Sequence, residues 1–74
     1  MPHVNIKYFP VSLSDERQSE LIATVTQAVM KTFGCDEAVI SIALEPVEKD
    51  AWQEQVYLPE IINRRDLLHK KPNY

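Results

Sequence analysis

The order of its hydrophobic patterns most constrains what this chain of 74 residues can fold into. Apolar residues alternate with others over residues 3–9, recur every three or four residues from Leu21 to Phe33, and alternate again in VISIALEP, residues 39–46. Alternation is typical of a strand, and the longer repeat is typical of an amphipathic helix. Strand, long helix and strand in this order predict a right-handed crossover that joins two parallel strands.

Local signals set the expected limits of the first two elements. Pro10 should end the first strand, because its ring removes a backbone donor. Ser12 or Ser14 can cap the helix. The acidic residues Asp15 and Glu16 follow in the first turn, where the helix dipole favours negative charge. Gly34, the only glycine, is placed where a left-handed residue would end the helix.

The remainder of the chain predicts a helical extension. Pro46 should end the second strand, and Asp50 is placed to cap a short helix that carries Trp52. Pro59 suits the first turn of a last helix over roughly residues 59–69. The predicted fold class is therefore α/β (or α+β), a β-α-β unit with a C-terminal helical extension, in one domain that covers residues 1–74.

Size and composition predict a chain that associates with copies of itself. A lone domain of this length hides only about 60% of its unfolded surface. Small domains compensate with disulfides, a metal or a partner, and Cys35 is the only cysteine. The histidines and the cysteine lack metal-ligand spacing. Two strands alone are not a stable sheet, so the face that the helix leaves open is expected to meet another copy.

Charge and hydropathy exclude several partners. The net charge of −3 argues against a nucleic-acid surface. No apolar stretch reaches the roughly 20 residues that a membrane span needs, and no basic-then-apolar leader is visible. A single free cysteine fits a reducing compartment, so we expect a cytoplasmic protein.

The usual catalytic constellations are absent, which directs attention to Pro2. One glycine cannot build a phosphate loop, and there is no nucleophile elbow. His3 is interpreted as an exposed or hydrogen-bonded strand residue. Pro2 has two readings: a proline tolerated at the start of a strand, or, once Met1 is removed, a rigid secondary amine. In apolar surroundings such an amine loses its proton more readily and can act as a base.

Three stretches carry a resemblance to a known family: PHVNIKYFP, then LSDERQSELIATVTQAV, then AVISIALEPVEKDAW. Over about residues 2–52 they resemble the 4-oxalocrotonate tautomerase family of the tautomerase superfamily. The longer tail is similar to that of its small dimeric branch. The resemblance implies a β-α-β fold paired through its sheets, a dimer with a hexamer as the alternative, and no cofactor or metal.

The resemblance also implies site residues. Pro2 would shuttle a proton in keto–enol tautomerisation of a small 2-oxo acid, and Trp52 would form part of an apolar wall, although it is equally explained by packing. Leu13 and Ile40 occupy the places of two family arginines that bind a dicarboxylate, and neither carries a charge. We therefore expect a smaller, more apolar or monocarboxylate substrate. Aromatic residues such as Phe9 would favour an aryl 2-oxo acid.

Two alternatives to a tautomerase remain open at the level of sequence. The chain could keep the fold without the activity, as an oligomeric scaffold or a binding module for small apolar acids, which the missing arginines favour. The same proline could also catalyse hydration or dehalogenation of an unsaturated acid. Lack of a cationic partner for the carboxylate argues mildly against that second alternative.

Overall fold

The computed structural model describes all of residues 1–74, and its first three elements follow the predicted order. Strand β1 spans His3–Tyr8, helix α1 spans Asp15–Phe33 and strand β2 spans Ser41–Pro46. The two strands are neighbours in one two-stranded sheet. The prediction of a β-α-β fold is confirmed.

Backbone hydrogen bonds at the two ends of the sheet fix its parallel register. The amide of Ser41 donates to the Pro2 carbonyl at 3.3 Å, and the amide of Val47 donates to the Tyr8 carbonyl at 2.8 Å. In a parallel pair, a residue of one strand bonds to two residues of the other strand, the ones on either side of the residue directly opposite it. Ser41 therefore lies opposite His3.

Helix α1 begins and ends where its local signals predict. Ser14, rather than Ser12, is the N-cap, and its hydroxyl accepts the amide of Arg17 at 3.1 Å. At the other end Gly34 has φ 63° and ψ 40°, the left-handed conformation. Its amide donates to the carbonyl of Met30 at 2.9 Å, which satisfies one of the last helical carbonyls.

The helical extension differs from the prediction in both of its parts. Asp50 caps nothing, since it lies inside a 3-10 turn over Lys49–Ala51 that has no side-chain cap. The following helix is a π-helix over Gln53–Ile62, so Pro59 lies in its interior and does not begin a helix over 59–69. In an α-helix the proline ring clashes with the carbonyl four residues back. The wider π-helical turn, bonded five residues back, accommodates it.

Two further 3-10 turns complete the regular structure. One spans Glu37–Val39, so Val39 precedes β2 instead of belonging to it. The other spans Arg65–Leu67, inside the range predicted for the last helix. None of the helices combines the length and the hydropathy that crossing a bilayer requires.

The chain divides into two compact units, and β1 and β2 contribute to both. The first unit comprises Met1–Ile6 and Val11–Glu45. Not one of its side chains is fully buried. The half-buried side chains of α1 form a stripe at helical spacing: Leu21, Ile22, Val25, Thr26, Val29 and Met30.

The second unit comprises Lys7–Pro10 and Pro46–Tyr74, and it contains both fully buried residues of the chain. Val47 is 4% exposed and Val56, on the π-helix, is 5% exposed. The rings of Tyr57 and Tyr74 lie 5.8 Å apart, which places the irregular C-terminal tail against the π-helix.

One carboxylate in the second unit bridges two cations. Glu60 Oε2 accepts from Lys7 Nζ at 2.9 Å, and Glu60 Oε1 lies 3.5 Å from Arg64 Nη1. The hydrogen bond from Lys7, its positive charge and the charge of Arg64 together hold the pKa of Glu60 below its ordinary value. The bridge ties β1 to the π-helix.

We predict that Gly34→Ala lowers the free energy of unfolding by about 1 kcal/mol. A β-carbon at Gly34 would meet nothing within 4 Å, so the cost is backbone strain at positive φ and not a clash. Gly34→Asn is the matched control, because asparagine tolerates the left-handed region better than alanine. Urea unfolding at one protein concentration measures both variants, and an equal loss for the two would contradict this explanation.

We predict that Glu60→Gln destabilises the chain at neutral pH and not in acid. The folded pKa of Glu60 is lowered, so its contribution is complete above the ordinary pKa of 4.5 and is lost as pH falls through the folded pKa. The side chains of Lys7 and Glu60 are 22% and 38% exposed. Solvent screening therefore limits the effect to about 0.5 kcal/mol.

Urea unfolding of wild type and Glu60→Gln at pH 7 and pH 3 checks this prediction. The same substitution made in a Lys7→Gln background is the control, and its effect at pH 7 should be smaller. A difference in unfolding free energy that is the same at both pH values would show that the ion pair is not its source.

Candidate active site

Pro2 lies immediately before β1, in the first unit. The proline is half-buried, whereas Met1 ahead of it is 93% exposed. A proline has no amide to donate, so its link to the neighbouring strand is the bond that its carbonyl accepts from Ser41. The ring fixes the φ angle, and that bond restrains the peptide plane that follows.

The structure brings Ile40 next to Pro2 along the backbone. The amide that reaches the Pro2 carbonyl belongs to the peptide bond between Ile40 and Ser41. Ile40 itself is extended and half-buried, with φ −98° and ψ 132°. An aliphatic side chain at this position adds apolar surface and offers no hydrogen bond to a carboxylate.

Leu13 is a half-buried residue of the loop between β1 and α1. It immediately precedes Ser14, the N-cap of α1. Like Ile40, it offers apolar contact alone.

Phe9 and Trp52, the two remaining residues of the predicted site, contact each other in the second unit. Their ring centroids are 4.9 Å apart and the ring planes are 86° apart, an edge-to-face contact. Trp52 lies at the junction of the 3-10 turn and the π-helix, and Phe9 directly follows β1. Phe9 is 45% exposed, so the pair presents aromatic surface to solvent.

Two cations of the second unit are engaged by one carboxylate. Lys7 and Arg64 both face the carboxylate of Glu60. A lysine beside a carboxylate is less available to attract an anionic substrate than an isolated one. We therefore do not assign either of these two cations the role left open at Leu13 and Ile40.

Pro2 does not line the groove that the first unit has along α1. This groove of about 570 Å³ is lined in part by Gln18, Ile22, Thr26 and Glu37. A cleft of about 220 Å³ in the second unit lies beside Tyr57 and the C-terminal tail.

No cluster of three or more His, Cys, Asp or Glu side chains has the arrangement to hold a metal ion.

Sequence reasoning missed the contact between His3 and Ser41. The Nδ1 atom of His3 lies 2.6 Å from the Ser41 hydroxyl oxygen, one residue from the Pro2 carbonyl. Alternation places each of the two residues on a strand face, but only the register of β1 against β2 shows that they are opposite each other. The same face carries a second polar pair, Asn5 Nδ2 donating to Glu45 Oε1 at 3.2 Å.

Comparison with known proteins agrees with this architecture. The sequence model of a family described as "Tautomerase enzyme" matches residues 2–60. Proteins named Tautomerase PptA align with all 74 residues of the chain and with 97% of their own length. Identity is 43% for the relative from Klebsiella pneumoniae (strain 342) and 38% for that from Cronobacter sakazakii (strain ATCC BAA-894).

A third relative of the same name, from Escherichia coli O139:H28, is 34% identical over the same 74 residues. The family match covers β1, α1, β2 and most of the π-helix, and the relatives extend the similarity through the tail. The sequence-based recognition is confirmed: this chain belongs to the tautomerase family and is an enzyme of the isomerase class.

Proposed function

We propose that the chain interconverts the keto and enol forms of a small 2-oxo acid, with Pro2 as general base and acid after removal of Met1. The observation that carries this proposal is the position of Pro2 in a tautomerase-family chain, at the entrance of β1 and bonded through its carbonyl to β2. The exposure of Met1 supports access of a peptidase to the terminus.

The chemistry needs a nitrogen that both accepts and returns a proton. In ketonisation, the neutral amine takes the proton of the enol hydroxyl, and the protonated amine delivers a proton to carbon 3. The hydroxyl oxygen becomes the carbonyl oxygen, so the reaction is a balanced isomerisation without a co-reactant. A general base works best when its pKa lies near the working pH. Apolar surroundings lower the pKa of an amine because they disfavour its charged form.

We propose substrate contacts for the aromatic pair Phe9 and Trp52 in the second unit and, separately, for the aliphatic side chains of Leu13 and Ile40 in the first unit. All four are uncharged, and the two rings meet edge to face, which leaves ring surface for an aryl group. An enol of an aryl monocarboxylate, such as phenylenolpyruvate, suits contacts of this uncharged kind better than a dicarboxylate does. A second carboxylate would lack the bidentate arginine partner that makes its desolvation favourable.

We propose that the working form is a homo-oligomer in the cytoplasm, with a dimer favoured over a trimer of dimers. Only Val47 and Val56 are fully buried within a single chain. Several large apolar side chains remain exposed, including Val11, Phe33 and Leu67. Association of copies would remove such surface from water and supply the interior that the chain lacks.

We predict that Pro2→Ala lowers the ketonisation rate of phenylenolpyruvate by about 100-fold or more. The substitution replaces the constrained secondary amine with a flexible primary one. The matched control is Pro10→Ala, the same change at an exposed proline beyond β1, which should leave the rate unchanged. Ultraviolet absorbance of the enol follows the reaction, and an unchanged rate for Pro2→Ala would refute the proposed function.

We predict a comparable loss when the terminus is blocked. Insertion of glutamate between Met1 and Pro2 would convert the proline nitrogen into a tertiary amide, which has no basic lone pair. Mass spectrometry identifies the first residue in each preparation. Full activity of protein whose Pro2 nitrogen is shown to be acylated would exclude proline as the base.

We predict that Trp52→Ala raises the KM for phenylenolpyruvate about tenfold, because an aromatic contact of roughly 1 kcal/mol is lost together with apolar surface. Trp52→Phe keeps an aromatic edge contact and should lose less. Enolpyruvate, which has no ring, provides the internal comparison, and its KM should change little. Equal effects on both substrates would remove Trp52 from ring recognition.

A further inference from the structure

We infer that His3 and Ser41 form a tether that positions Pro2 for proton transfer. This inference rests on the proposed role of Pro2. The first residues of a chain are poorly ordered unless something ties them down. Once Met1 is removed, Pro2 is the end of the chain, and proton transfer requires its nitrogen to point in one direction.

The backbone alone ties Pro2 weakly. Its nitrogen carries no amide hydrogen within the chain, so the residue cannot donate to the sheet. Its carbonyl accepts from Ser41 at 3.3 Å, beyond the usual 2.9–3.0 Å of such bonds. Tyr8 at the other end of β1 accepts from Val47 at 2.8 Å. Of these two bonds, the one at the end where the proposed base lies is therefore the longer.

A side-chain contact adds to the backbone bond at this end of the sheet. His3 Nδ1 and Ser41 Oγ are 2.6 Å apart, a short hydrogen bond. Ser41 thus makes two contacts with consecutive residues of β1, one from its amide to Pro2 and one from its hydroxyl to His3. A rotation that swung the Pro2 carbonyl away from Ser41 would also strain the contact at His3.

The chemistry of serine suits this task. A hydroxyl both donates and accepts, so it can pair with either tautomer of the imidazole ring. The tether uses Nδ1, the ring nitrogen nearer to the backbone, so the link from strand to strand is short. His3 and Ser41 are positioning residues in this scheme, since they act on the reaction through Pro2.

The first test compares Ser41→Thr with Ser41→Val. The two side chains have nearly the same shape and are both β-branched, and they differ in the hydroxyl alone. We expect Ser41→Thr to keep most of the activity and Ser41→Val to lower kcat about tenfold with KM within about twofold, because a displaced base slows the proton step more than it weakens substrate binding. Equal kcat values for these variants would overturn the tether.

The second test uses the geometry of the imidazole contact. In His3→Asn the amide reaches roughly where Nδ1 lies, whereas in His3→Gln it reaches roughly where Nε2 lies. Asparagine should therefore restore more of the kcat lost in His3→Ala than glutamine does. Asn5→Ala, which removes the other polar pair on the same face, is the matched control and should leave kcat unchanged. A loss of kcat in Asn5→Ala as large as that in His3→Ala would show that any polar pair on this face of the sheet has the same effect, and it would overturn the tether.

Hydrogen exchange of the residue-41 amide gives a readout that does not depend on turnover. This amide donates to the Pro2 carbonyl, so its protection reports whether the end of β1 stays paired. We expect faster exchange in Ser41→Val than in Ser41→Thr, with protection of the residue-47 amide unchanged. Identical protection of residue 41 in the two variants would overturn the tether.

The two proposals fail in distinguishable ways. If Pro2→Ala abolishes turnover while Ser41→Thr and Ser41→Val have equal kcat and equal exchange, only the tether is wrong. If Pro2→Ala leaves turnover unchanged, the proposed function is wrong and the positioning role is wrong with it.

Discussion

The parallel pairing of β1 with β2 is the interaction on which the rest of this structure depends. It brings a residue from beyond α1 back beside the first residues of the chain, and it decides which residue that is. The bond between the Ser41 amide and the Pro2 carbonyl is the outermost rung of this ladder. A slip of one residue would place Ile40 or Ile42 opposite His3 and turn the serine hydroxyl to the other face of the sheet. The register of the sheet thus determines the surroundings of the proposed base.

Elements governed by local signals could be predicted from the sequence, and those governed by packing could not. Helix α1 starts after Ser14 and ends at Gly34, because a capping hydroxyl and a left-handed glycine act within one turn. Pro59 misled the prediction. Its preference for a first helical turn is a local tendency, whereas the π-helix around it also buries Val56. Tertiary packing overrides such local preferences.

In the candidate site, too, some features could be predicted from the sequence and others depend on packing. Pro2 was accessible to sequence reasoning because its chemistry follows from its position in the chain, and Trp52 because of a family resemblance. The edge-to-face contact of Phe9 with Trp52 joins residues that are far apart in the sequence, as does the contact of His3 with Ser41. The local hydrophobic pattern around these residues predicts neither contact. Their prediction needs the register of the strands and the path of the helical extension, which only the folded chain provides.

The proposed base and the proposed self-association depend on one another. Exclusion of water lowers the pKa of an amine, because desolvation disfavours its charged form. The first unit, which contains Pro2, has no fully buried residue in the single chain. In the proposed oligomer, a second copy would cover part of this surface and supply some of the low-dielectric surroundings that favour a neutral amine. For a chain this small, with only Val47 and Val56 fully buried, the proposed association would therefore serve both the stability of the fold and the proposed basicity of Pro2.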